Sequence, residues 1–437
     1  MTVMQQPTTT PIRGTRVNRP WQRTVLSFLV AFGPGLIVME ADNDAGAVST
    51  YMQAGGQYGY HLLWVLLLLL PICYFVQEMV ARLGIATGKG HAAMIYERFG
   101  KAWGRFSLFD LLAVNFLTLI TEFAAISLAM RGLGVAPIIS VPLSAIALVG
   151  LIATGSYRRW ERIVVVLCLL DLTWFVTAAL LHPAWHEALT QTFIPSLPHT
   201  GVTGDLVFLI IAIVGTTIAP WQLFFQQSCV AEKRLRFADL KWARLDTLIG
   251  AIFTVLVAGA MMLVGAFAYN HNIPFTDPAQ LAGSIAAILP PRTGTFVHHA
   301  LLLLMVNAAV LGTTAISLAS AWAYGEVAGW EHSLHKKPSE APGFYAVYAL
   351  CVFAAAAVVL IPHLPLQVVI ITVQVFAGLV LPSAIIFLQL LLNDHALLGD
   401  RWVNRPWNNW INWLIVAILF ALSIVLAAQV LLPNLFS

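Results

Sequence analysis

The sequence predicts an all-α, multi-pass membrane protein of eleven transmembrane helices, ten of them in two five-helix halves. Of its 437 residues, 59% are hydrophobic and only 10% charged, where soluble globular proteins carry about 25% charged residues. The mean hydropathy is +0.82. Apolar runs of about 20 residues, the length that crosses a bilayer, recur from end to end without β-type alternation. Loops rich in Lys and Arg alternate with loops nearly devoid of them.

The runs cover 27–52, 60–84, 106–130, 136–154, 162–181, 206–229, 245–270, 297–323, 343–362, 366–393 and 410–432. Of the 23 Lys and Arg residues, all but Arg131 and Arg292 lie in the tail or in alternate loops. The positive-inside rule therefore places the N-terminus in the cytoplasm of a cell (plasma or inner) membrane. Residues 1–24, with Arg13, Arg16, Arg19 and Arg23, read as a cytoplasmic tail rather than a cleaved signal peptide. Residues 25–437 read as one transmembrane transport domain: repeat one over 25–182, repeat two over 205–394 and an extra helix over 410–432. The loops at 182–205 and 271–296 are too short and too Pro/Gly-punctuated to fold as separate domains. Cys73, Cys168, Cys229 and Cys351 read as buried thiols. Trp21, Trp103, Trp160, Trp407 and Trp410 fall at span ends and read as interfacial anchors.

The first span contains an energetic anomaly. Glu40-Ala41-Asp42-Asn43-Asp44-Ala45-Gly46 lies within it, where a single aspartate costs about 2.5–3.5 kcal/mol. Such a cluster requires a cation, a proton or water. The sixth span is also interrupted, at Gly215-Thr216-Thr217-Ile218-Ala219-Pro220. Breaks five spans apart predict an inverted-repeat transporter with its site at the unwound segments, where carbonyls and half-helix C-terminal ends favour a cation.

Gly33-Pro34, Gly55-Gly56-Gln57-Tyr58-Gly59-Tyr60-His61-Leu62-Leu63-Trp64-Val65, Leu83-Gly84-Ile85-Ala86-Thr87-Gly88-Lys89, Ala219-Pro220 and Gln374 with Leu381-Pro382 together resemble the NRAMP family of divalent-metal transporters. The resemblance spans essentially the whole chain and implies a LeuT-like fold with helices one and six broken. It places Asp44 at the aspartate of the family's Asp-Pro-Gly-Asn motif, which reads Asp44-Ala45-Gly46-Ala47 here. It implies a metal site of Asp44, the Ala41 and Thr216 carbonyls and Gln374, lined by Gly46, Ala47, Ala219 and Pro220. Asp42 and Asn43 are candidates for the missing oxygen ligand, or for capping the second half-helix. Glu40 is a candidate ligand or a supporting carboxylate. Gln374 has an alternative as an interhelical hydrogen-bonding residue.

Transition-metal members have a methionine where Ala219 stands. Hard oxygens without sulfur suit Mg²⁺, Ca²⁺ or Mn²⁺, and a wider site suits an ion keeping part of its hydration shell. The alternative for Ala219 is a small packing residue. The family's proton route is also altered: Leu119 and Glu122 stand for its span-three acid pair, and Trp221 and Gln226 for its span-six histidines. The expectation is an NRAMP-related transporter of Mg²⁺, also accepting Mn²⁺, by alternating access without obligatory proton coupling. The alternatives are a proton-coupled Mn²⁺/Fe²⁺ transporter and an organic amine or amino-acid carrier on the same fold. No enzyme motif, cofactor or nucleic-acid-binding tract is evident. The expected partners are the divalent ion and the lipid bilayer, with the chain acting as a monomer.

Overall fold

The computed structural model describes residues 32–198 and 201–431, with side chains at all of these except 401 and 426–431. The tail at 1–24, with Trp21, the first residues of span one, His199 and the last residue of span eleven lie outside the described residues. Among the described residues every regular element is helical. Among the described residues nine spans are long and apolar enough to cross a membrane. The first span, split into two short halves, and the 16-residue Pro137–Ile152 are the other two of the expected eleven.

Span one is α1 (Pro34–Ala41) followed by α2 (Ala45–Tyr58). Pro34 opens α1, where its missing N–H leaves no helical bond unmade. The exposed N–H groups of that helix end are taken by a carboxylate from far along the chain. Asp246 accepts from Gly33 at 3.2 Å, Gly35 at 2.7 Å and Leu36 at 3.3 Å, complementing the positive helix end. Span two is α3 (Leu63–Thr87), followed by α4 (His91–Phe99) and span three, α5 (Lys101–Gly132). Span four is α6 (Pro137–Ile152). Span five bends at Asp171 between α7 (Tyr157–Leu170) and α8 (Leu172–Leu180). A short α9 (Trp185–Phe193) precedes span six, which is α10 (Gly204–Thr217) and α11 (Pro220–Glu232). Then follow α12 (Leu240–Asn270), α13 (Pro278–Ile288), α14 (Pro291–Ala328), α15 (Pro342–Val359), α16 (Leu366–Leu392), α17 (His395–Trp402) and α18 (Pro406–Leu431).

The packing obeys the expected internal symmetry. The first broken span lies against α12, the seventh span, and the second broken span lies against α3, the second span. These are the pairs that an inverted five-helix repeat exchanges. Around them α5 packs on α14, α15 packs on both, and α16 crosses α10.

Several boundaries differ from the sequence expectation. The first span continues to Tyr58 rather than ending at 52: its hydrogen bonding runs on to the Gly59 N–H, which donates to Gly55, and Gly59, at φ 59°, turns the chain out of the helix. The connecting segments carry α4, α9 and α13. For α13 the signal was local: Asp277 accepts from Ala279 and Gln280 N–H at 2.9 Å, with Pro278 at the first helical position. Trp160 is not an interfacial anchor. It is buried between Tyr157 and Phe225, with ring centroids 5.4 and 6.1 Å away. Trp103, Trp407 and Trp410 are exposed as expected.

Candidate functional site

Three residues, Asp42-Asn43-Asp44, interrupt the first span, and two, Ile218-Ala219, interrupt the sixth. The second break is narrower than the six residues expected, since α10 stays helical through Thr217. Both breaks free carbonyls from helical bonding. Position 45 would donate to the Ala41 carbonyl, but the Ala45 N–H points to Glu122 Oε2 at 3.2 Å. The residue four beyond Thr216 is Pro220, which has no N–H to donate.

Asp44 is the N-cap of α2: its Oδ1 accepts the Ala47 N–H at 2.9 Å, and its backbone is extended. Capping was expected of Asp42 or Asn43 ahead of Asp44, and the structure places it on Asp44. Only Asp44 has the N-cap spacing to the first free N–H groups of α2. Asp42 instead reaches the other broken span, where Gln222 Nε2 donates to its Oδ1. Gln222 in turn accepts from Gln77 Nε2 at 2.8 Å. Asn43 donates to the Thr254 carbonyl at 3.4 Å. Glu40 Oε1 accepts from Thr254 Oγ1 at 3.1 Å. A second bond, Tyr51 Oη to Thr217 Oγ1 at 2.7 Å, also joins the two broken spans.

Glu122, the surviving member of the span-three pair, caps the N-terminus of α2 beside Asp44. Gly312 of α14 makes room for both carboxyls. A Cβ there would lie 2.8 Å from Asp44 Cβ and 2.8 Å from Glu122 Cδ. Gln374 of α16 occupies the space beside Gly46, whose added Cβ would collide with the Gln374 amide and lie 3.1 Å from Asp44 Oδ1. The structure thus brings together Asp42, Asn43, Asp44, Gly46, Glu122 and Gln374, and joins the two breaks by Asp42–Gln222 and Tyr51–Thr217.

The outer residues behave differently. Leu119 is buried one turn before Glu122, Trp221 packs against Phe225 at 6.0 Å, and Gln226 donates to Thr247 Oγ1 at 3.1 Å. Asp171, at the bend of span five, accepts from Asn307 Nδ2 at 3.0 Å. Gly312, Gln222 and Tyr51 are contributors to the site that the sequence reading missed, as was Asp246 behind the start of α1. Each lies in an apolar helix with no local motif to single it out. Cys73 is another: its thiol donates to the Thr217 carbonyl at 3.5 Å, bringing one sulfur to the second break.

The site is closed to solvent, with Asp44 3% and Asp42 1% exposed. Within it Asp42 Oδ2, Asn43 Oδ1, Glu122 Oε1 and Thr216 Oγ1 lack a hydrogen-bond partner. Among the described residues none of Glu40, Asp42, Asp44 and Glu122 forms an ion pair with Lys, Arg or His. Nor do three His, Cys, Asp or Glu side chains gather closely enough to enclose a metal by themselves. Any ion held here would therefore draw on amides and carbonyls as well as carboxylates.

The paired breaks in an inverted repeat of five helices define a multi-pass membrane protein of the LeuT-fold transporter class. Comparison with known proteins makes the class specific. The family pattern described as natural resistance-associated macrophage protein-like (Nramp) matches residues 35–429, and the chain belongs to this family. Among its relatives is the divalent metal cation transporter MntH of Ralstonia nicotianae, 29% identical over 91% of this chain and 90% of that protein. A Staphylococcus aureus MntH is 27% identical over 92% of this chain and 91% of its own. These relatives are named as transporters, not enzymes. The Eremococcus coleocola manganese transporter has the same fold, with TM-score 0.78 at 20% identity over 95% of this chain and 89% of its own. MhsT, solved with L-phenylalanine, shares the architecture at TM-score 0.59 and 15% identity, over 91% of this chain and 98% of its own.

Proposed function

We propose that this protein carries divalent metal cations across a cell membrane by alternating access, with Mg²⁺ as its main substrate and Mn²⁺ also accepted. The carrying observation is the set of buried oxygen atoms at the two breaks that have neither a hydrogen-bond partner nor a cationic side chain beside them. Buried acids in that state call for a cation. Asp44, whose carboxylate caps α2 at the first break, is the central ligand. The Ala41 and Thr216 carbonyls, Gln374 and one or both of Asp42 and Asn43 complete the shell, partly through waters. Gly46, Ala47, Ala219 and Pro220 line it. Glu40 is a supporting carboxylate behind the first break, and Glu122 one beside Asp44. Rocking of the broken spans would expose the site to either side in turn. An inside-negative potential supplies about 2.3 kcal/mol per charge per 100 mV, doubled for a divalent ion.

The preference for Mg²⁺ rests on Ala219, which offers no sulfur, and on the surplus of hard oxygen. The absence of obligatory proton coupling rests on Leu119, Trp221 and Gln226, none of which titrates near neutral pH. The N-terminus faces the cytoplasm in this reading, and the chain works as a monomer. A second reading, a proton-coupled carrier of Mn²⁺ or Fe²⁺, has one observation in its favour: the Cys73 sulfur beside Thr217, a soft donor.

The test is metal-competition uptake into proteoliposomes with a pH dye inside. Mg²⁺ entry without luminal acidification is the expected result. Acidification locked stoichiometrically to metal entry would overturn uncoupled transport. Entry of Mn²⁺ but not Mg²⁺, lost selectively in Cys73→Ser, would establish the second reading.

A further inference from the structure

At the end of the molecule where the basic residues gather, a cavity of about 570 Å³ opens between α3, α12 and the start of α18. It lies away from both helix breaks. Its walls are Phe75 and Trp407, packed edge-to-face at 5.6 Å. Its charged lining is one carboxylate and three guanidinium groups: Glu78, Arg82, Arg244 and Arg405. Glu78 Oε1 accepts from Arg244 Nε at 2.9 Å and Nη2 at 2.7 Å, and Arg82 Nε stands 3.4 Å from the same oxygen. Arg82 is otherwise spent, donating to the Trp402 carbonyl and to Asn404 Oδ1 at 2.6 Å each. One carboxylate therefore serves two guanidiniums. Arg405 adds a third cation that is exposed and, among the described residues, has no side-chain hydrogen bond or ion pair. The pocket is left with two uncompensated positive charges.

The rim continues onto an apolar face. Trp407, Trp410 and Leu414 follow one another along one side of α18, exposed by 49%, 78% and 55%. A ligand with an anionic head and long apolar tails matches both parts. Arginine forks suit phosphate, and basic pockets between transmembrane helices recognise anionic head groups.

We propose that this pocket is a binding site for an anionic phospholipid, whose phosphate is held by Arg244 and Arg405 and whose acyl chains lie along Trp407, Trp410 and Leu414. The pocket lies between α3 and α12, which each pack against one of the broken spans. It therefore sits where head-group binding would hold the two moving halves together.

Native mass spectrometry of the purified full chain tests this, with phosphatidylglycerol, phosphatidylcholine and orthophosphate as probes. Wild type is expected to retain one phosphatidylglycerol where phosphatidylcholine is stripped. Arg405→Gln should weaken retention about fivefold, and the Arg244→Gln/Arg405→Gln pair about 25-fold. Because the Arg405 side chain has no hydrogen-bond or ion-pair partner among the described residues, its single variant tests the proposal even if the double variant fails to fold. Equal retention of both lipids, or of phosphatidylglycerol by wild type and Arg405→Gln, would overturn the assignment. So would an equal loss in Arg131→Gln, far from the pocket, which would mean diffuse attraction. Displacement of phosphatidylglycerol by millimolar orthophosphate would show a free-phosphate site and refute the lipid as occupant.

Discussion

The two helix breaks are related by the same internal symmetry yet are built by opposite means. The first is made by polar side chains. Asp44 caps α2, and Glu122 takes the Ala45 N–H. The second is made by covalent geometry. Pro220 ends the hydrogen-bond ladder, and the residues around it, Ile218 and Ala219, are apolar. A break made by carboxylates carries charge that something must neutralise. A break made by proline exposes carbonyl dipoles at little electrostatic cost. In the proposed transporter the first break would supply affinity and the second discrimination.

Asp44→Ala should have the largest effect. It removes the cap and the central proposed ligand together, so uptake should fall by more than the 10- to 100-fold typical of residues that only support a metal's ligands. Flux at the wild-type level in proteoliposomes would remove the first break from the ion's path. Gly46→Val comes next, because its Cβ must enter the space of the Gln374 amide. A loss of about 1–3 kcal/mol is expected, read as a lower melting temperature in detergent. Combining it with Gln374→Ala should recover most of that loss, and no recovery would mean that the two side chains do not share the space. Gln222→Leu is intermediate. It leaves Asp42 without its donor and cuts one of two bonds between the breaks, costing about 1–3 kcal/mol and slowing exchange at unchanged apparent affinity. A change in affinity alone would mean that Asp42 acts as a ligand rather than as a link. Ala219→Met should change least in rate and most in choice, moving preference from Mg²⁺ toward Mn²⁺ or Cd²⁺. Unmoved competition ratios would deny the second break its role in discrimination.

The two breaks also differ in how far the sequence revealed them. Asp42-Asn43-Asp44 stands out because three polar residues in an apolar run have no bland explanation. Ala219-Pro220 stands out only through the spacing that pairs it with the first break. The small capping helix α13 announced itself with Asp277-Pro278, but in a segment whose Pro and Gly content suggested a loop. Trp160 had the spacing of an interfacial residue, and only the approach of Phe225 from the second repeat buries it.

Composition and periodicity alone settle that the chain is helical, crosses the membrane repeatedly and interrupts two of its spans. Burial of backbone in hydrocarbon admits few other solutions. Tertiary structure alone decides which atoms satisfy the interrupted backbone. Asp246 serves residues 211 positions away at the start of α1, Glu122 serves Ala45, and Gln222 serves Asp42. These contacts join helices that are distant in sequence, and those of Asp246 and Gln222 form only once the two halves have packed. A lone acid or amide in a span carries no mark of the partner it will meet, so its place at the site is legible only in the folded protein.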